Sequence, residues 1–92
     1  MYILVRKDLS ETYRCVQGSH ALAQFALEFP EEFKKWNNST IVFLGVRNLI
    51  ELKTIKGKLM FCSVFREPDL ENQETAIAFY GQNDELKNLK TV

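Results

Sequence analysis

Ninety-two residues are enough for one domain and too few for two, so residues 1–92 read as a single unit. Twelve basic residues balance twelve acidic ones, which removes the basic excess of a dedicated nucleic-acid binder and leaves only local patches for phosphates. No apolar run reaches the ~18–20 residues that cross a bilayer, and the expectation is a cytoplasmic protein with no membrane contact.

Residues 2–6 are apolar and β-branched and predict a first strand, not a signal peptide. Residues 7–13 are polar and read as a loop. Residues 14–29 turn helical: Gln17, His20, Gln24 and Glu28 form one polar stripe, and Leu22, Ala23, Phe25, Ala26 and Leu27 cover most of the rest. Pro30 interrupts this helix and opens a second turn through Trp36. After the turn signal Asn37-Asn38-Ser39, residues 40–46 predict a second strand. Asn48 and Glu51 have capping-box spacing, and Gly57 marks a left-handed helix end. Residues 59–65 predict a third strand, residues 66–73 a charged loop and residues 75–80 a fourth strand. The tail from residue 83 reads as a short helix or a frayed end. The expected fold is α/β, a four-stranded mixed sheet packed with helices in the order β-α-β-α-β-β.

Three constellations could carry chemistry. Gln17-Gly18-Ser19-His20-Ala21 is placed early in the first helix, near free N–H groups that favour an anion or oxyanion. His20 is the only histidine, and Gly18 points to close approach of a backbone or ligand. Read plainly, Gln17, His20 and Gln24 are the helix's solvated edge. Arg66, Glu67 and Asp69 surround Pro68, where two carboxylates and an arginine make a general base or an anchor, or simply an ion-paired loop. Thr75 follows as a possible hydroxyl donor. Lys7 and Arg14 flank the first loop and could meet phosphates, with Asp8 offsetting them. The two cysteines, Cys15 and Cys62, read as free thiols, and no metal-ligand spacing is present.

Taken together, Tyr2-Ile3-Leu4-Val5-Arg6-Lys7-Asp8-Leu9, Gln17-Gly18-Ser19-His20-Ala21 and Thr75-Ala76-Ile77-Ala78 resemble the type 2 peptidyl-tRNA hydrolases. The resemblance covers most of the chain up to Gly81, and Gln-x-Ser-His-Ala is its most specific piece. It implies hydrolysis, without metal or other cofactor, of the ester joining a peptide to the terminal ribose of tRNA. It carries Gln17, Ser19 and His20 over from the helix motif, Asp8 from the first strand's end and Thr75 from the late strand. Arg14 would stand in for a lysine before the helix, and Glu67 or Asp69 for a catalytic aspartate. The catalytic set expected is thus His20, Glu67, Asp69 and Thr75, and the tRNA-binding set Lys7, Asp8, Arg14, Gln17, Ser19 and Arg66. A non-catalytic RNA- or protein-binding module on the same fold is the alternative, with Trp36, Tyr80 and Phe33 as a protein-docking patch. A homodimer is a further possibility for so small a chain.

Overall fold

Strand β1 (Tyr2–Arg6) lies at the centre of the sheet, as its unbroken apolar run requires. The computed structural model describes residues 1–92, the side chain of Glu85 excepted. After β1 come helices α1 (Glu11–Glu28) and α2 (Pro30–Trp36), strand β2 (Val42–Val46), helix α3 (Leu49–Lys56), and strands β3 (Cys62–Glu67), β4 (Gln73–Phe79) and β5 (Lys90–Thr91). The sheet is mixed and open, in the order β3-β4-β1-β2-β5. Only β1 and β2 are parallel neighbours; β4 runs antiparallel to both β1 and β3, and β5 antiparallel to β2. Strands β1, β2 and β3 therefore point the same way, and their carboxyl ends share one edge of the molecule.

The pleat divides the core in two. Ile3 and Val5 of β1 pack with Ala76 and Ala78 of β4 beneath Ala21 and Phe25 of α1 and Trp36 of α2. Leu4, Leu44, Val46, Ile77 and Phe79 face the other way, onto Leu52 and Ile55 of α3. No helix among the described residues is long and apolar enough to cross a membrane.

Several sequence expectations need correction. The sheet has five strands, because the tail turns through a 3₁₀ segment (Asp84–Leu86), buries Leu86 under α3 and adds β5 to the β2 edge. Helix α1 begins earlier than expected because the Ser10 hydroxyl accepts the Tyr13 N–H and caps it. Its buried side is Gln17, Gly18, Ala21 and Phe25, and Leu27 is 77% exposed, so the helix lies on the sheet along one face only. Gly57 is right-handed (φ −62°), and the left-handed position falls instead at Phe61 (φ 56°), which delays β3 to Cys62. Trp36 is buried, its indole N–H donating to the Thr40 carbonyl, and cannot form a docking patch. The Asn48 cap is as expected, but Glu51 reaches back to the N–H of Arg47, not of Asn48.

Candidate functional site

The edge where β1, β2 and β3 end collects most of the chain's polar burial, and a bulge between β3 and β4 organises it. Phe65 pairs with Ala76 and Arg66 with Glu74, leaving Thr75 as the extra residue. Simple alternation from Ala76 would turn Thr75 toward α3. The bulge turns it toward α1, and Glu74 goes to the α3 side instead. There Glu74, 4% exposed, accepts from Lys56 and from Arg66 at 3.2 Å.

On the α1 side, Thr75 is fully buried and its hydroxyl donates to Gln17 Oε1 at 2.5 Å. Gln17 is fully buried too, and its Nε2 donates to Glu67 Oε1 at 3.2 Å. A carboxylate can only accept, so Glu67 fixes which end of the amide faces it, and Thr75 takes the other. The Tyr13 hydroxyl also donates to Glu67 Oε1, at 3.2 Å. Partial burial, then the Glu67 hydrogen bond and the charges of Glu67 and Asp69, push the Tyr13 phenol above its usual range, so it keeps its proton at neutral pH. Glu67 is half-buried and extended (φ −90°, ψ 115°) ahead of Pro68, and its Oε2 has no hydrogen-bond partner among the described residues. His20, a turn beyond Gln17, lies flat on Phe65 with centroids 4.4 Å apart and planes 9° apart.

The first half of α1 and the segment bearing Glu67 meet, through Tyr13 and Gln17 on the carboxylate and His20 on Phe65. The expected source of positive potential does not lie there. Because α1 starts at Glu11, residues 17–21 sit in mid-helix with their N–H groups spent on the helix. Gly18 serves packing: a Cβ there would overlap the Phe43 ring and come within 3.0 Å of Ile3.

The remaining expected residues are scattered around this centre. Asp69 is exposed in the 3₁₀ turn Pro68–Leu70 after β3. Ser19 points outward and donates back to the Cys15 carbonyl. Arg66 faces α3 through Glu74, across the sheet from Glu67. Arg6 is 7% exposed and chelates Asp8 through Nε (3.0 Å) and Nη2 (2.7 Å) while Nη1 reaches Gln73 and the Glu74 carbonyl. Arg6 Nη1 thereby ties β1 to β4, and the Arg6 hydrogen bonds hold the Asp8 carboxyl below its ordinary range. Arg14 donates to the carbonyls of Leu9 and Lys7, latching the first loop. Lys7 runs over Gly45 of β2, on the opposite side of β1 from Glu67.

Tyr13 and Phe65 were missed by the sequence reading. Tyr13 is four residues before Gln17, hence on the same helix face, a signal lost when the helix is begun at residue 14. Among the described residues no three His, Cys, Asp or Glu side chains gather as a metal site. No protein-family model matches the chain, and neither does any curated protein sequence.

Proposed function

We propose that this edge is the active site of an esterase that cleaves peptidyl-tRNA or a related N-blocked aminoacyl-tRNA, with Glu67 as its general base. The observation that carries the reading is the asymmetry of that carboxylate. One oxygen is held by two neutral donors, Tyr13 and Gln17, and the other is left open at the sheet edge. Neutral donors orient a carboxylate without cancelling its charge, which a base needs and a structural ion pair does not provide. Glu67 fits the role better than Asp69, which no hydrogen bond to a side chain among the described residues fixes in place.

In the proposed reaction Glu67 Oε2 takes a proton from water as the water oxygen attacks the ester carbonyl. The tetrahedral centre collapses by breaking its bond to the ribose oxygen, and Glu67 returns the proton to that leaving oxygen. His20, braced by Phe65, donates to the oxyanion, a contribution of about 3–4 kcal/mol for one such donor. Thr75 and Gln17 are positioning residues: both are buried, and they act by aiming the carboxylate.

Single-turnover incubation with N-acetylaminoacyl-tRNA tests this. The native protein should release free tRNA, and Glu67→Gln should slow release about 10²–10⁴-fold with an unchanged circular dichroism spectrum. Native protein that leaves the ester intact overturns the hydrolase; if it still binds the tRNA, the protein is a binding module.

A further inference from the structure

The sheet has a second polar feature at the same edge. The chain leaves β1 for α1 on one face, while it leaves β2 for α3 on the other, as the two core layers show. Neighbouring parallel strands whose connections part in this way leave a crevice beyond their carboxyl ends, the usual ligand position in open α/β sheets. Here the crevice is a cavity of about 430 Å³ lined by Lys7, Gly45, Arg47, Glu51, Asn88 and Lys90.

Its shape follows from Gly45. That position pairs with Val5 on one side and Lys90 on the other, and a Cβ there would overlap the Lys7 side chain. The missing side chain lets Lys7 lie across β2 beside Arg47 and Lys90. The Lys7 N–H bonds the Val46 carbonyl at 2.7 Å and Arg14 holds the Lys7 carbonyl at 2.7 Å, so the loop carrying this cation is anchored. Among the described residues Glu51 supplies the only acidic side chain of the lining, and it is already engaged by Arg47, through its backbone N–H at 2.9 Å and its Nε at 2.8 Å. Three cations against one committed carboxylate leave the crevice positive in a chain whose net charge is zero.

We infer that this crevice is a phosphate-ester subsite for single-stranded RNA, contacting the backbone next to the tRNA terminus. The identity of that RNA rests on the hydrolase reading; the anion specificity rests on the crevice alone. Three inter-strand spacings separate β2 from β3, placing the crevice about 14 Å from Glu67, a gap that a few nucleotides of unpaired RNA bridge. A stretched single-stranded end such as CCA would thus lie along the sheet edge, its phosphates at Lys7, Arg47 and Lys90 and its ester at Glu67.

The experiment is fluorescence anisotropy with a short oligoribonucleotide ending in CCA and a free 3′-hydroxyl, titrated at several salt concentrations. Lys7→Gln, Arg47→Gln and Lys90→Gln should each weaken binding and lower the log–log salt slope by about 0.7, the value per phosphate for single strands. Gly45→Ala should weaken binding by displacing Lys7 with no charge lost, and Lys34→Gln, at an exposed position of α2, should change nothing. Because the probe has no acyl ester, the result is independent of hydrolysis. Unaltered affinity and slope in all three charge variants overturn the subsite even if the protein cleaves esters. Competition by inorganic phosphate equal to that of the oligonucleotide also overturns it, in favour of a free-anion site.

Discussion

A buried glutamine must find partners for both ends of its amide, and Gln17 finds them in residues 50 and 58 positions away. Thr75→Val should therefore cost about 1–3 kcal/mol, the penalty for a buried acceptor left unpaired, read as a lower urea midpoint at unchanged slope. It should also slow ester cleavage by loosening Glu67. Ser63 gives the opposite case, since its hydroxyl is fully buried and has no partner among the described residues. Ser63→Ala should raise stability by about 1 kcal/mol, a rise of about 4–8 °C in melting temperature for a domain of this size. The sequence marks Gln17, Glu67 and Thr75 as polar residues in the right segments. It does not show which way Thr75 faces, because the bulge that aims it inserts one residue into an otherwise alternating strand.

At the scale of elements, hydrophobic periodicity and turn residues locate every strand of β1 to β4 and all three helices, while the ends of α1, β2, β3 and β4 move by up to three residues. The shifts have local causes: Ser10 draws α1 back toward the first loop, and the left-handed Phe61 delays β3. Strand β5 is two residues long and exposed, with no alternation to read. Helix α1 also inverts the usual propensity rule. Gly18→Ala gains about 1 kcal/mol of helix propensity and loses about 1–3 kcal/mol by forcing α1 off Phe43 and Ile3. The expected net result is destabilisation, visible as a lower melting temperature.

Across the whole molecule, two carboxylates contribute to acid sensitivity. Asp8 is held below its ordinary range chiefly by the Arg6 guanidinium, and Glu51 chiefly by the Arg47 backbone N–H. In the unfolded chain these groups titrate near ~4, so they bind protons there that the folded state does not. Their stabilisation is complete above that range and is lost as the pH falls toward their lower folded values. Denaturation between pH 7 and 3 should show a shallower decline below about pH 4.5 for the Asp8→Asn, Glu51→Gln double variant than for the parent. The strand order has a kinetic consequence as well. Strand β4 lies between β1 and β3, and its ladder with β1 pairs Tyr2 with Phe79, 77 positions further along the chain. Strand β1 therefore cannot complete its pairing until β4 has been made. Closure of such a long loop slows folding, and the nascent protein must protect an unfinished central strand until β4 has emerged.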